Sequence, residues 1–311
     1  MRYFNHQKCT FHNPVITMGT FDGIHRGHQK LLRELRRRAD EINGEAIVVT
    51  YYHHPLETIH RKTFPYLLTE RYKKEQLLKE FGVDHVLYLN FDEKMAAMEP
   101  EEFLKAVIID ELQPREIVVG YDTHFGKKRS GDFSFLQKRE ERYQFKSFLV
   151  APCAVDDVIV SSSMIRDLVR EGDMLQVEKY LGRKYSIVGQ VISGHKIGRK
   201  LGFPTLNLQP HDGNKLIPAL GVYVSQVIIA GKTYGSVTNI GYSPTIKTTG
   251  IKEVETHLLN FEQEIYQQDI ELIFLKRLRD EIKYVDKAAL IQQIALDVQQ
   301  ARDFLAKFEK R

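Results

Sequence analysis

Val15-Ile16-Thr17-Met18-Gly19-Thr20-Phe21-Asp22-Gly23-Ile24-His25-Arg26-Gly27-His28 carries a short β-branched run into a glycine-rich turn and then into a helix. From His28 to Ile42 the apolar residues Leu31, Leu32, Leu35 and Ala39 recur at helical spacing. Ala46 to Tyr51 is β-rich and suits a covered parallel strand. The spacing next predicts a helix over Leu67 to Phe81, with Tyr72, Leu77 and Leu78 among its apolar positions and Gly82 as its stop. A strand over Val86 to Leu89, a helix over Pro100 to Leu112 and a strand over Ile117 to Val119 follow. Strands and helices alternating at these lengths predict an α/β domain of Rossmann-like type, a parallel sheet covered on both faces.

Near Tyr180 the pattern changes. Glycine-punctuated β runs cover Tyr185 to Ile192, Gly221 to Ile229, Tyr234 to Ile240, Val254 to Leu259 and Asp269 to Leu275. Closely spaced strands with turn signals predict a small β-barrel or closed antiparallel sheet. Leu290, Ile294, Val298, Leu305 and Phe308 return to helical spacing, so the chain is expected to end in an amphipathic helix. That helix has its own barrel to pack against, or else a partner or a membrane surface. The boundary is placed near Leu181 to Lys184, giving domains over residues 1–182 and 183–311.

A chain of 311 residues has room for two cores. Hydrophobic content of 42% and charged content of 28% are ordinary for a soluble globular protein. No apolar stretch approaches a membrane span, and the first residues lack the apolar core of a secretory signal. Cys9 and Cys153 form neither a CxxC pair nor a metal-ligand spacing, so a reducing cytoplasm is the expected setting. The net charge of +4 is small. Arg33, Arg36, Arg37 and Arg38 read as the solvated face of a helix or as a contact for RNA; no nucleic-acid partner is expected.

The turn after the first strand lies where an open α/β sheet forms its ligand crevice. Gly19, Gly23 and Gly27 let the backbone approach a phosphate, and the next helix offers unpaired amides to an anion. His25 and His28, three apart at the helix entry, can face one substrate and donate to phosphate oxygens as charge develops. The loop lacks both GxxxxGKS/T and GxGxxG, which points to nucleotide chemistry without a P-loop. The segment from Gly120 to Asp132, with Lys127, Lys128 and Arg129, suits a clamp on a flavin or a triphosphate, or is only a solvated basic loop. Ser161, Ser162 and Ser163 open a helix, as caps or as phosphate ligands, and Arg166 one turn in has the fork for bidentate phosphate contact.

A second phosphate loop spans Gly194 to Gly202, with Lys196, Gly198, Arg199 and Lys200 between. Thr205 and Asn207 share one face of the extended segment that follows, as turn residues or as hard oxygen ligands suited to Mg²⁺. Glu255 lies within an apolar strand. It points to solvent by alternation, or it faces a pocket as a general base, with His257 on the same face a weaker candidate.

In this order the motifs resemble the prokaryotic bifunctional riboflavin kinase/FMN adenylyltransferase family, from roughly Val15 to Tyr284. GTFDGIHRGH is similar to that family's adenylyltransferase signature, and GYDTHFGKKRSGD and SSSMIR fall at its flavin and ATP contacts. GRKLGFPTLNL, GVY, NIGYSPT and VETHLLNF resemble its riboflavin kinase module. The resemblance implies an N-terminal nucleotidyltransferase domain that makes FAD and pyrophosphate from FMN and ATP. It implies a C-terminal riboflavin-kinase-type barrel that makes FMN from riboflavin and ATP. His25, His28 and Arg166 would act on the triphosphate, with Gly19, Phe21, Gly23, Gly27, Ser162 and Ser163 lining its site. Asp122, Phe125 and Arg129 would hold the flavin. In the kinase, Gly194, Lys196, Gly198, Lys200 and Gly202 would bind phosphate, Thr205 and Asn207 would place Mg²⁺, and Glu255 would be the base. A cytoplasmic monomer, with at most weak self-association, is implied. Thr50 to Pro55, Ser163, Leu206 and Ser243 depart from the usual pattern; loss of the arginine usual at position 243 weakens a kinase contact on this reading.

Overall fold

The parallel sheet of the first half is built from alternation. In a computed structural model, Ile16, Met18, Ile47, Val49, Leu87, Leu89, Ile117 and Val119 enter one buried cluster. Their strand neighbours Val15, Val48, Val86, Tyr88 and Val118 enter another. Both faces of the sheet are therefore covered, as side chains of period two require when helices lie above and below. The structure describes residues 2–4, 10–59, 66–193, 202–242, 252–261, 263, 265–282, 284 and 286–308. The backbone forms two units, Met1–Ser162 and Ser163–Arg311.

In the first unit β1 (Arg2–Phe4), β2 (Val15–Met18), β3 (Ala46–Tyr51), β4 (His85–Leu89), β5 (Glu116–Gly120) and β6 (Lys146–Val150) form one sheet in the order β1-β4-β3-β2-β5-β6. All its pairings are parallel, and β7 (Ala154–Val155) and β8 (Val158–Ile159) pair separately as an antiparallel two-stranded sheet. The order changes direction at β2, which lies between β3 and β5, so the turn after Met18 opens at a switch point. Helix Arg26–Glu41 buries Leu31, Leu32, Leu35 and Ala39, as its spacing predicts. The arginines on its far side are ion-paired: Arg36 with Asp40 and Asp84, Arg37 with Glu34 and Glu41, Arg38 with Glu34 and Glu116. The next helix begins at Arg71 rather than Leu67 and runs to Glu80. Leu77 and Leu78 are buried as expected, but Tyr72 is 72% exposed and belongs to the solvent face. The helix expected over Pro100 to Leu112 forms with a π-helical stretch, Leu104–Ile109, at its middle.

The second unit holds helices Ser162–Glu171, apart from its first residue, and Met174–Leu181, the latter closed by left-handed Gly182. Strands β9 (Tyr185–Ile192), β10 (Thr205–Pro210), β11 (Gly221–Ile229), β12 (Lys232–Tyr242), β13 (Lys252–Leu258) and β14 (Asp269–Arg279) follow. They close a barrel in the order β10-β13-β12-β11-β14-β9. Every neighbour is antiparallel. Four hydroxyls on three adjacent strands are fully buried: Ser225, Ser236, Thr238 and Thr256. They bond to one another at 2.7–2.9 Å, so no desolvated hydroxyl is left to cost about 1–3 kcal/mol.

Helix Lys287–Phe308 packs on the barrel through Ala301 and Leu305, against Val222, Val224, Val237 and Leu275. Gly235 makes room, since a Cβ there would stand 2.6 Å from Leu305 Cδ1. Asp297 on this helix is buried and accepts from Arg279 Nε at 3.0 Å and Nη2 at 2.7 Å. Removing one member of a buried pair strands the other, at about 3–5 kcal/mol. Asp297→Ala is therefore expected to destabilise the second unit by about 3 kcal/mol in urea unfolding. Replacing both Asp297 and Arg279 with apolar residues should recover most of that loss; a single variant as stable as the native chain would contradict it.

Candidate active sites

The turn after β2 is held by hydrogen bonds from several elements. Gly19 donates its N–H to the Val49 carbonyl at 3.0 Å. Phe21, Gly23 and Ile24 take φ values of +48°, +90° and +40°. In the two that are not glycine this conformation costs on the order of 1–3 kcal/mol, and surrounding structure must over-determine it. Phe21 and Ile24 are almost wholly buried in the core, which supplies that constraint. Asp22 is buried too, its Oδ1 accepting the N–H of Leu68 and of Thr69, each at 3.0 Å. Those two amides are thereby taken out of the helix expected to start at Leu67. Thr50 Oγ1 and Lys74 Nζ both donate to the Thr20 carbonyl, at 3.2 and 2.9 Å.

His25 caps the following helix. Its Nδ1 accepts the His28 N–H at 3.4 Å, which places the ring proton on Nε2. The two imidazoles stack, with centroids 3.8 Å apart and 18° between planes, and the Phe21 ring lies 5.1 Å from His28. Gly27 permits the stack because a Cβ there would meet His25 Cε1 at 3.0 Å. Two imidazolium charges at this distance repel by about 4 kcal/mol at an effective dielectric of about 20. That is several times the roughly 1.4 kcal/mol of one pKa unit. Burial first, then His25 and Lys74, accordingly hold His28 well below the usual imidazole value. At neutral pH His28 is therefore neutral. His28 Nδ1 is buried with no hydrogen-bond partner among the described residues.

The segment after β5 folds back on itself through the pair Phe125–Gly131, whose backbone bonds are 3.0 and 2.9 Å. Asp122 and Arg129 are exposed on this loop, and Arg129 Nη2 lies 3.4 Å from His124 Nδ1. Lys127 is paired with Glu99 at 2.8 Å. Phe125 differs from them. It is 5% exposed and packs with Phe103 and Phe135, so its ring anchors the loop in the core instead of standing open to a flavin. Ser162 Oγ donates to the Asp22 carbonyl at 2.8 Å. Ser163 is exposed and Arg166 is buried.

In the barrel, register assembles what sequence spacing leaves apart. Thr205 stands opposite His257, and Asn207 opposite Glu255, across β10 and β13. Asn239 on β12 is the other cross-strand neighbour of Glu255. All five side chains lie off the hydroxyl-lined interior, which takes Leu206 and Thr256.

 Glu255 is half-buried and is not without contacts of its own. His257 Nδ1 donates to the Pro204 carbonyl at 2.9 Å, and the Phe203 ring meets its ring edge-on at 5.6 Å. That bond gives His257 a structural duty at the start of β10. No cluster of three or more His, Cys, Asp or Glu able to hold a metal occurs among the described residues. Gly202 is left-handed, at φ +86°, with open space around it. Gly194, Lys196, Gly198, Lys200 and Ser243 lie outside the described residues.

Two residues of these sites escaped the sequence reading. Lys74 stands in the charged run Arg71-Tyr72-Lys73-Lys74-Glu75, which looks like any solvated helix face. Asn239 carried a usable signal, since it is a polar residue between Thr238 and Ile240 in a β run within the NIGYSPT segment.

The chain matches the FAD synthetase family over residues 7–164 and the riboflavin kinase family over residues 181–305. It is 36% identical to a bifunctional riboflavin kinase/FMN adenylyltransferase of Pseudomonas fluorescens over 292 residues, covering 94% of this chain and 93% of that one. A protein of the same description from Haemophilus influenzae is 35% identical, covering 93% of this chain and 94% of its own. Among solved structures, one described as a macrolide-efflux protein from Streptococcus pneumoniae superposes with a TM-score of 0.84 at 28% identity, covering 93% of this chain and 94% of that one. No described helix here is long and apolar enough to cross a membrane. With both halves matched in order and relatives alike along nearly their whole length, the chain belongs to the bifunctional riboflavin kinase/FMN adenylyltransferase family.

Proposed function

We infer that this chain makes FMN from riboflavin and ATP, and FAD from FMN and a second ATP. We place the functional boundary at residues 182 and 183, with the adenylyltransferase before it and the kinase after it.

In the first domain an FMN phosphate oxygen attacks the α-phosphorus of ATP and pyrophosphate leaves. His25 and neutral His28 steady the triphosphate by donating N–H bonds as charge grows on its oxygens. Gly19, Phe21, Gly23 and Gly27 shape the cradle, with Ser162 and Ser163 as further phosphate contacts. Arg166 is assigned to phosphate through its SSSMIR motif. Asp122 and Arg129 are assigned to the flavin, with Phe125 holding their loop in place.

In the second domain Glu255 takes the proton of the ribityl 5′-hydroxyl as that oxygen attacks the γ-phosphorus. The glycine- and lysine-rich segment Gly194 to Gly202 is the phosphate loop. Thr205 and Asn207 would hold Mg²⁺, which supplies charge neutralisation on the nucleotide phosphates when bound. The observation that carries the kinase reading is the register that sets Glu255 opposite Asn207. A barrel that only bound flavin would have no use for a carboxylate beside those oxygens.

The setting is taken as cytoplasmic and the working form as a monomer. The test is incubation of the pure protein with riboflavin, ATP and Mg²⁺, with products separated by chromatography. FMN should appear first and FAD after it. A protein that adenylylates supplied FMN but never consumes riboflavin would reduce the reading to the first domain alone.

A further inference from the structure

One basic group of the first unit falls in none of the motifs. Lys74 extends from helix Arg71–Glu80, and its Nζ donates to the Thr20 carbonyl at 2.9 Å. An ammonium has three donors, and this is the one hydrogen bond it makes among the described residues. The carbonyl it holds belongs to the turn between β2 and His25, next to strained Phe21. We propose that Lys74 is a positioning residue of the adenylyltransferase pocket, a cation that pins the turn through the Thr20 carbonyl and sets the local potential that a polyphosphate meets beside His28.

His28 is faced by His25 from the helix cap, by the uncharged Phe21 ring from the turn, and by Lys74 from the neighbouring helix. Burial lowers the Lys74 ammonium below its usual value, and Asp22 and Glu75 work against that by favouring its charged form. The Asp22 carboxylate is already engaged by the amides of Leu68 and Thr69. A cation acting on His28 makes its protonation harder. A bound polyphosphate reverses the local potential, so the same cation then stabilises the ligand while both histidines keep N–H donors. This role rests on the reading of the pocket as the site of adenylyl transfer.

The test reads the histidines directly, by NMR titration of the full chain labelled at histidine, with His28→Gln to assign the His28 signal. Lys74→Met should raise the apparent pKa of His28 by about one unit, and Lys74→Arg should leave it near the native value. In parallel, Lys74→Met should raise the KM for ATP in FAD formation from supplied FMN about tenfold, with Lys74→Arg restoring much of it. A role confined to packing would leave the His28 titration where it is, and that result overturns the proposal. Should Lys74→Met fail to fold, Lys74→Gln carries the same comparison. If the native chain makes no FAD from FMN, the reading of the pocket fails; the His28 titration still decides whether Lys74 sets its charge.

Discussion

Glu255→Gln is expected to lower FMN formation from riboflavin by about 10²- to 10⁴-fold while leaving FAD formation from supplied FMN unchanged. The substitution keeps the shape of the side chain and removes the ability to accept a proton. Its cross-strand neighbours Asn207 and Asn239 can still be reached by the amide, so β10, β12 and β13 should keep their register. The loss should fall on kcat, because a general base acts in the transition state more than in binding. Initial rates with riboflavin and with FMN as separate substrates check it. A variant that keeps native riboflavin turnover would move the base elsewhere, with His257 the next group on that face.

His28→Ala is expected to show the opposite selectivity, with FAD formation falling about 10²- to 10³-fold and FMN formation untouched. The alanine removes a donor aimed at developing charge and also removes one ring of the stack, leaving His25 without its 3.8 Å neighbour. The pH dependence has a definite sign. Because burial, His25 and Lys74 hold His28 below the usual imidazole value, it stays neutral as pH falls past about 6.5 and protonates only in more acid solution. Native FAD formation should therefore not show an acid limb at the ordinary imidazole value due to His28. A limb there that disappears in His28→Gln would contradict the depressed value.

Much of this was legible in the sequence, for reasons that differ by element. The β2–turn–helix passage is plain because the pattern changes from β-branched to glycine-rich to a 3.6-residue period within a few positions. β6 was missed because it lies at a sheet edge with an open face, and Leu149, 49% exposed, breaks the expected apolar run. The late start of helix Arg71–Glu80 depends on Asp22 capturing the amides of Leu68 and Thr69, a contact across more than forty residues that no local rule contains. Phe125 looked like a ligand-facing aromatic, and the backbone pair with Gly131 turns it inward instead. Alternation alone would also misjudge the barrel. Ser225, Ser236, Thr238 and Thr256 are polar, yet they are buried because they satisfy one another. Glu255 and Asn207, on the other face, were identified as residues, and only strand register brought them together.

The central claim is that two separate sites in one chain pass FMN from the first reaction to the second. It is tested most directly by mixing Glu255→Gln with His28→Ala in the presence of riboflavin, ATP and Mg²⁺, and measuring FAD by chromatography. Each variant alone should make little or no FAD from riboflavin. Together they should make it at a rate that rises with concentration, because FMN released by His28→Ala is adenylylated by Glu255→Gln. A mixture that stays silent, although each variant performs its remaining half-reaction, would contradict free passage of FMN between two independent sites.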